Sequence, residues 1–456
     1  MIFKILKTWR MSNFLGRVLS RVIFTVSLLA VCFFFLPRFL SANQEASVVL
    51  HVHSAVSSGN PGLQEIARIA KQKKIDAVMM TDLLCERYSY GLAPFQNILK
   101  KTVSRKSVWD KGVPAYLSEI QNTDKTVPGV LMMEGVVATP FYYWTGNIWP
   151  GPLMLNDRGK DFLVFGLHSA SEYENIPVLQ SGKSRFDAYH GSKGMAPYQD
   201  VIDYVRKKNG FIVWSHPSAE ERMVIKLPFN REVVLVSKEY SREVKETEGY
   251  DAVGVYSVEL AQVIGAPEDR SSASPGGVWD EVLSQYVSGR RKEPVWAVGE
   301  CDYNGFAKEN TELAAILNQV IVPEKTKENI FESLRKGKNY IIIKDRMGAQ
   351  AMVLNEFSVS DPLTSQSASM GETVIVSAVP KIRFQISFSD QSNTPYHILL
   401  IRNGKMIEME DLSGSGVFEY TDTELPQGDS AYYRIIAYSD GSARLLTNPI
   451  FVRRKA

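Results

Sequence analysis

The chain has 456 residues, which is enough for two or three domains with a large core. Apolar residues make up 45% of it and charged residues 22%, a balance typical of folded globular proteins and not of disordered ones. The 52 basic and 50 acidic residues leave a net charge of +2, and the chain lacks the basic stripe that a nucleic-acid-binding surface requires.

Five basic residues lie in the first 21 positions, and the uncharged apolar run "VIFTVSLLAVCFFFLP" follows from Val22 to Pro37. As a helix this run covers about 22 Å, less than the ~30 Å of a hydrocarbon core, which is typical of a signal-peptide apolar region. The basic flank predicts that the N-terminus stays in the cytoplasm. We expect residues 1–42 to be a signal peptide or a transmembrane anchor in the cytoplasmic membrane. The body of the protein is then exported, either released or anchored.

Short β-rich runs alternate with helical patterns from residue 43 to about 345. The runs include "SVVLHVH", "DAVMMTD", "FIVWSHP" and "PVWAVGECD", and helical periods stand between them, as in "GLQEIARIAKQKK" and "PYQDVIDYVRKKNG". Continuous apolar strands between helices predict parallel strands covered on both faces. We therefore expect an α/β fold, a distorted (β/α)7-type barrel.

The pattern changes near residue 346. Segments such as "ETVIVSAV", "IRFQISFSD" and "SAYYRIIAYSD" are short strands separated by polar turns, including Asn403-Gly404, and no helical period is present. Residues 346–456 therefore predict a small all-β sandwich domain of the immunoglobulin-like type.

Two of only six histidines, His51 and His53, end the first β-rich run. Side chains alternate along a strand, so both imidazoles point to one face about 6–7 Å apart and can share a metal ion. Alternatively, they are two polar groups at a strand end that bond to water. Asp82, His216 and Asp302 also end β-rich runs, and in barrels of this kind the functional residues lie at the C-terminal ends of the strands.

The motifs "HVH", "TD", "SHP" and "GECDYNG", in this order, resemble the PHP (polymerase and histidinol phosphatase) superfamily of metal-dependent phosphoesterases. The resemblance covers residues 48 to 345. The segments "YSYGLAPF" and "PFYYWTG" are similar to an exported bacterial branch that also carries an N-terminal hydrophobic segment and a C-terminal β domain. The resemblance implies hydrolysis of a phosphoester at a metal centre.

The resemblance also implies metal ligands, and only some of them are present. In this family the first metal ion is held by the paired histidines, a glutamate and a late aspartate. His51, His53 and Asp302 match these positions, but Val137 occupies the position of the glutamate. Glu134 is close in sequence, but three residues earlier on a strand it should point to the opposite face.

A second metal of the family takes two histidines, of which His216 matches one and Asp161 replaces the other. A carboxylate in that place keeps Zn, Mn or Fe as candidate ions. The positions of a third site are occupied by Ser57, Leu83 and Asn304. Because the carboxylate that would bridge two cations is lost, we expect one divalent ion rather than two or three.

Asp82 is assigned a catalytic role, in which its carboxylate orients His51 or His53 by a hydrogen bond. A helix N-cap or a turn residue is the alternative. Cys85 and Cys301 flank strand ends. They form a disulfide, replace a lost metal ligand, or are inert buried thiols, and the third alternative requires the fewest assumptions.

Two further features follow the strand ends. Arg87, Arg105 and Lys106 either hold an anionic substrate or are simply solvated. The aromatic loop 140–152 either stacks on a sugar or base or packs over the mouth of the barrel, and we expect packing for most of its rings.

Two functions remain open. The first is an exported metal-dependent hydrolase acting on a phosphorylated small molecule. The second is a catalytically inactive binding module that recognises a glycan or a phosphorylated envelope component. The partly matched ligands leave this choice to the geometry of the site.

Overall fold

The computed structural model describes residues 43–91, 95–96, 98–147, 151–228, 231–256, 272–305, 312–344, 351–439 and 443–456. The predicted signal peptide or anchor, residues 1–42, lies outside the described residues, as does Trp149 of the aromatic loop. Of the helices within these ranges, none has the length and apolar character needed to cross a membrane.

The strands of the described ranges are numbered in chain order. They are β1 (Gln44–Val52), β2 (Ala77–Met80), β3 (Asp82–Leu83), β4 (Arg87–Gly91), β5 (Lys100–Ser104), β6 (Leu131–Met133), β7 (Gly135–Ala138), β8 (Tyr143–Gly146), β9 (Leu153–Asn156), β10 (Phe162–Phe165), β11 (Phe211–Trp214), β12 (Glu221–Leu227), β13 (Arg231–Ser237), β14 (Ala252–Tyr256), β15 (Trp296–Gly299), β16 (Ile316–Val322), β17 (Asn339–Ile343), β18 (Met352–Ser360), β19 (Ser367–Ala368), β20 (Thr373–Val376), β21 (Lys381–Phe388), β22 (Pro395–Arg402), β23 (Lys405–Ser413), β24 (Val417–Thr421), β25 (Ser430–Ser439), β26 (Arg444–Thr447) and β27 (Ile450–Arg454).

The helices of the same ranges are numbered likewise. They are α1 (Leu63–Gln72), α2 (Val108–Lys111), α3 (Val113–Thr126), α4 (Ala170–Glu174), α5 (Ala196–Lys207), α6 (Ser241–Glu246), α7 (Val278–Val287) and α8 (Lys327–Arg335). Many strands with few helices confirm the predicted mixed α/β class.

Two sheets carry the site. The first has the strand order β20-β27-β25-β26-β17-β16-β1-β2-β6, and the second has the order β15-β14-β11-β10-β7-β3. The chain passes from β2 into β3 and from β6 into β7, so the sheets are continuous at that edge. At the other edge the N–H of Cys301, just after β15, donates to the carbonyl of Leu50 on β1 (2.9 Å). The strand ends of both sheets therefore face one another.

Strand β10 departs from the predicted parallel arrangement, because it runs antiparallel to both β7 and β11. Between β7 and β10 the described chain makes the antiparallel pair β8–β9 rather than a crossover helix. A connection without a crossover brings the chain back at the same end of the sheet, so the next strand runs the opposite way. The apolar run "FLVF" predicts a buried strand but not its direction.

The predicted helix patterns are found in the fold. Helix α1 buries Leu63, Ile66, Ala67 and Ala70 on one face, as its sequence period predicts. Helix α5 has Pro197 in its first turn, where proline replaces an amide that has no intrahelical partner. Both helices pack on the sheets, and the apolar strands β2, β10 and β11 are buried along their whole length.

The C-terminal strands continue the first sheet. Strand β26 pairs antiparallel with β17, with Leu446 opposite Ile341. A separate four-stranded sheet of the C-terminal part has the order β19-β18-β21-β24. Buried and half-buried residues alternate along its strand β21, which is typical of a sheet packed on one face. Asp280 on α7 and Arg434 on β25 form a fully buried ion pair (2.6 Å), which joins the C-terminal strands to the part of the chain before residue 346. Residues Gln44–Ala456 form one compact unit.

Candidate metal centre

Backbone hydrogen bonds bring the segment after β15 alongside the end of β1. The N–H of Tyr303 donates to the carbonyl of His51 (3.0 Å), and the N–H of His53 donates to the carbonyl of Tyr303 (2.8 Å). Residues that are about 250 positions apart in sequence thus become neighbours. His51 and His53 stand beside Glu300 and Asp302 for this reason.

Three of the predicted ligands converge on one point. Oδ1 of Asp302 lies 3.5 Å from Nε2 of His51 and 3.3 Å from Nε2 of His53. Ligand atoms around a tetrahedral ion with bonds of about 2.0–2.1 Å are about 3.4 Å apart. The two distances to Asp302 are therefore those of ligands around a small divalent ion, all three ligand atoms lie within 4.8 Å of one another, and the donor set of two imidazoles and a carboxylate suits such an ion.

The backbone has a strained conformation at three of the predicted site residues, His51, His216 and Asp302. His51 has a φ of 67°, His216 a φ of 29° and Asp302 a φ of 48°, in the left-handed region that residues other than glycine rarely adopt. The pairing of β1 with β2 also shifts register between Leu50 and Val52, so His51 lies at a bulge. Such conformations cost about 1–3 kcal/mol each and cluster at functional sites, where they direct side chains.

Glu300 is a site residue that the sequence interpretation missed. Its fully buried carboxylate accepts hydrogen bonds from Nδ1 of His51 (2.8 Å), the hydroxyl of Ser215 (2.7 Å) and the N–H of His216 (3.1 Å). When Nδ1–H of His51 donates to this carboxylate, Nε2 is left with its lone pair towards Asp302. A carboxylate behind a metal-binding histidine fixes the tautomer and raises the basicity of the ligand.

Gly254 on β14 leaves the space that Glu300 occupies. A Cβ atom built at Gly254 would lie 1.4 Å from Oε1 of Glu300 and 2.3 Å from its Cδ. Any side chain at this position would therefore displace the carboxylate. The absence of a side chain at Gly254 is a condition for the geometry around His51.

His216 and Asp161 lie near His51. The rings of His51 and His216 are stacked, with centroids 5.7 Å apart. His51, His216 and Glu300 form a second group with the spacing of metal ligands, but both oxygens of Glu300 already accept hydrogen bonds. Burial raises the pKa of Asp161, against the opposing charge of His216 and a short hydrogen bond from Thr139. Asp161 belongs to neither ligand group among the described residues.

The electrostatics of the centre favour a positive charge. Burial disfavours the imidazolium form of His51, but Asp302 and Glu300 outweigh it and raise its pKa to about 9. Burial also disfavours the charged form of Asp302, but His51 and His53 hold the pKa of this carboxyl well below its usual range. Negative charge that retains a proton can equally retain a cation. Nδ1 atoms of His53 and His216 are buried and have no hydrogen-bond partner within the described chain.

Asp82, for which the sequence predicts a catalytic role beside His51 or His53, instead binds the turn that contains Ser54 and Ser57. Its buried carboxylate accepts hydrogen bonds from the N–H and hydroxyl of Ser54 (2.8 and 2.7 Å) and from the hydroxyl of Ser57 (2.6 Å). These bonds hold the turn that follows His53 in sequence. The carboxylate that bonds to His51 is instead Glu300.

The remaining predicted features are placed as follows. Glu134 lies between β6 and β7 and belongs to neither ligand group of the described residues; its carboxylate lies 3.9 Å from Nζ of Lys327 on α8. Cys85 and Cys301 are free and buried, so the disulfide alternative is wrong. Burial raises the pKa of each thiol to about 12, which makes both thiols inert near neutral pH.

The aromatic loop packs rather than projects. Phe141 and Tyr142 are buried, and Tyr143 and Trp144 are half-buried. The indole N–H of Trp144 donates to the carbonyl of Ser89 (2.8 Å), which ties the loop to β4. The predicted packing role is confirmed for these four rings.

No protein-family model matches the chain, and no curated protein sequence does. Several solved structures are similar to it, among them the following two. One is a two-domain protein of Bacteroides vulgatus described as containing a predicted PHP-like metal-dependent phosphoesterase, with 12% identity, 86% of this chain and 90% of that chain covered, and a TM-score of 0.37. The other, from Bifidobacterium adolescentis, is described as a candidate metal-dependent phosphoesterase, with 10% identity, 57% of this chain and 87% of that chain covered, and a TM-score of 0.28.

Both descriptions name metal-dependent phosphoesterases, and the first names the PHP family that the motifs resemble. At these identities and TM-scores, the assignment of a reaction rests on the residues of the centre itself.

Proposed function

We propose that the chain is an exported metal-dependent phosphoesterase of the PHP type with a reduced metal centre. The observation that supports the proposal is the convergence of the two Nε2 atoms of His51 and His53 on Oδ1 of Asp302. In this proposal the two joined sheets are a distorted barrel, and the centre lies at its strand ends, where barrel enzymes place their functional residues.

Each residue of the centre has a role in this proposal. His51, His53 and Asp302 hold the ion, and Glu300 fixes the tautomer of His51 by accepting its Nδ1–H. A divalent ion bound there supplies Lewis-acid polarisation of a phosphoryl group and activation of water. The histidines are buried while the side chain of Asp302 is 16% exposed, so a substrate reaches the centre from the Asp302 side.

One ion fits this centre better than two. Val137 is apolar and buried at the position where the resemblance expects a bridging glutamate. The carboxylate of Glu300 could replace it only by giving up its hydrogen bonds to His51, Ser215 and His216. Two cations about 3.5–4 Å apart need such a shared carboxylate to offset their repulsion. We therefore propose a single Zn, Mn or Fe ion.

The substrate class follows from the chemistry of such a centre. A cation next to buried ligands attracts a phosphoryl dianion, so we propose a phosphorylated small molecule or a phosphorylated glycan as substrate. Export places the enzyme outside the cytoplasm, anchored in the cytoplasmic membrane by residues 1–42 or released after their cleavage. The binding-module alternative makes the same metal prediction without turnover.

The test compares metal content and activity across three full-length proteins. Elemental mass spectrometry is applied to wild type, to a His51→Ala/His53→Ala variant, and to a His168→Ala/His190→Ala control whose histidines lie in exposed loops. We expect about one equivalent of metal and hydrolysis of p-nitrophenyl phosphate in wild type and control, and neither in the His51/His53 variant. Metal without turnover on a panel of phosphoesters would favour the binding module. Metal-free wild type that gains no thermal stability from added Zn, Mn or Fe would refute the proposal.

A further inference from the structure

A cavity of about 230 Å³ lies where helix α7 meets the C-terminal strands, and none of its lining residues belongs to the metal centre. Its walls come from the end of α7 and the turn after it, and from strands β20, β25 and β27. The lining residues include Tyr286, Arg291, Lys292, Thr373, Ser430 and Arg453. A cavity of this size suits a ligand smaller than the drug-sized molecules that occupy 300–1,000 Å³.

Among the described residues, three lining side chains carry a positive charge and none of the lining side chains is acidic. Glu372 and Asp429 are the sequence neighbours of Thr373 and Ser430, but neither reaches the lining. Glu293 follows Lys292 directly, but its carboxylate is bound to Arg206 (2.7 Å). The cavity therefore concentrates positive potential without an internal counter-charge.

Arg291 is the central cation and is only 4% exposed. Its Nε and Nη2 donate to neutral oxygens, namely the carbonyls of Lys245 and Thr247 and the side chain of Gln285, at 2.9–3.3 Å. These bonds leave Nη1 for a ligand. A buried charge that only neutral groups solvate is costly, and an anion in the cavity would neutralise it.

The other two cations have no ion pair in the part of the chain that the structure describes. Both Lys292 and Arg453 are exposed and lie on opposite walls of the cavity, one after α7 and one on β27. The C-terminus of α7 also faces this region, but a helix end contributes only about half a negative charge, against three positive side chains. The net field therefore still favours an anion.

The remaining walls define the kind of anion. The hydroxyl-bearing residues Thr373 and Ser430 offer neutral hydrogen-bond donors. Tyr286 and Phe451 form an edge-to-face pair with centroids 4.8 Å apart and give the cavity one apolar wall. Three cations and two hydroxyl groups can donate hydrogen bonds to the oxygens of a phosphate group. The apolar wall can contact the organic part of a small phosphate ester.

We propose that this cavity is a second binding site of the protein, for a small phosphate-type oxyanion, either inorganic phosphate or a small phosphate monoester. The anion is held between Arg291 and Lys292 on one side and Arg453 on the other, and it joins α7 to the C-terminal strands. This site is independent of the metal centre, because it shares no residue with it.

The experiment must separate this site from phosphate binding at the metal centre. All proteins are therefore full-length and carry His51→Ala/His53→Ala. Calorimetric titration with inorganic phosphate, and separately with glycerol 3-phosphate, is run at constant ionic strength set with chloride, because unspecific attraction is screened equally in all samples. The two ligands distinguish a free-phosphate site from a monoester site by their relative affinity.

Lys292→Gln/Arg453→Gln is the test variant, since both side chains are exposed and their loss should not affect folding. Arg290→Gln/Lys455→Gln is the matched control, because it removes the same charge from neighbouring exposed positions outside the cavity. The parent is the His51→Ala/His53→Ala protein without further changes. We expect saturable one-site phosphate binding in the parent and in the control, and at least a tenfold weaker affinity in the test variant. A bound anion should also raise the melting temperature of parent and control only.

Two results would overturn the proposal. If the test variant and the control lose phosphate affinity equally, binding depends on the net charge of the protein and not on the cavity. Absence of saturable binding in the parent would mean that the cavity holds no anion of this class. An Arg291→Gln variant is measured last, because its bonds to the backbone also support the fold.

Discussion

Replacement of Glu300 by glutamine tests the centre with the smallest possible change in shape. The variant keeps the volume of the side chain and removes its negative charge. The wild-type carboxylate accepts three hydrogen bonds, two at Oε2 from His51 and Ser215, and one at Oε1 from the N–H of His216. A glutamine oxygen in the place of Oε2 would leave its amide N–H₂ facing the N–H of His216.

The expected magnitudes follow from this count. One bond to a charged acceptor is lost and two buried donors face each other, which costs about 1.5–3 kcal/mol of the free energy of unfolding of the metal-free protein. His51 also loses the anion that makes its ring a stronger ligand, and such losses lower metal affinity by about 10- to 100-fold. We therefore expect a clear loss of metal affinity in a variant that still folds.

The assay is a competitive metal titration against a chelator of known affinity, together with urea unfolding of the metal-free proteins. Glu134→Gln is the control, because it is the same substitution at a residue between β6 and β7 whose carboxylate interacts with Lys327 and not with the centre. An affinity within threefold of wild type for Glu300→Gln, with circular dichroism unchanged, would refute the role of Glu300 in holding His51.

Three further predictions test the surroundings of the centre and the fold. Gly254→Ala places a methyl group 1.4 Å from Oε1 of Glu300, so metal affinity should fall at least as far as in Glu300→Gln, and a normal titration would contradict this. Asp280→Asn breaks the buried pair with Arg434 and should cost about 3–5 kcal/mol in urea unfolding, and a cost below 1 kcal/mol would argue against it. Asp251→Asn tests pH dependence: burial raises the pKa of Asp251 to about 6, whereas an unfolded aspartate titrates near about 3.9.

The sign of the last effect is as follows. Between these pH values the folded protein binds a proton that the unfolded chain has released, so this contribution to stability is complete below about pH 4 and is lost as the pH rises through 6. The total is about 2–3 kcal/mol. Urea unfolding between pH 4 and 7 should show this decline in wild type but not in Asp251→Asn, and parallel profiles would contradict the assignment.

Much of the fold is predictable because its signals are local. The 3.6-residue period of α1 and the apolar runs of the strands depend only on which side chains must be buried, and these predictions are confirmed. The direction of β10 is not local, because it depends on whether the chain before it crosses the sheet. The apolar composition of a buried strand is the same in both directions.

The convergence of His51, His53 and Asp302 was predictable, because strand ends in an α/β fold meet at one edge. The role of Asp82 was not, because Ser54 and Ser57 lie only a few residues from His53 and bond to Asp82 first. A carboxylate that follows a strand can reach either the loop beside it or the histidines, and sequence alone does not decide between them. Here two hydroxyls close to His53 in the chain decide it.

Glu300 could have been found from spacing alone. Glu300 and Asp302 are two residues apart, as are His51 and His53, a spacing that would place both side chains of a pair on one face of an extended segment. The positive φ of His51 and of Asp302 changes these directions locally but leaves the two pairs side by side. When two such segments lie side by side, their four side chains can meet, and the single imidazole of His51 has a carboxylate at each of its two nitrogens. One carboxylate can then hold the ring while the other completes the ligand set. The sequence signal for this centre is therefore the combination of the His-x-His and Glu-x-Asp motifs, and not the histidine pair alone.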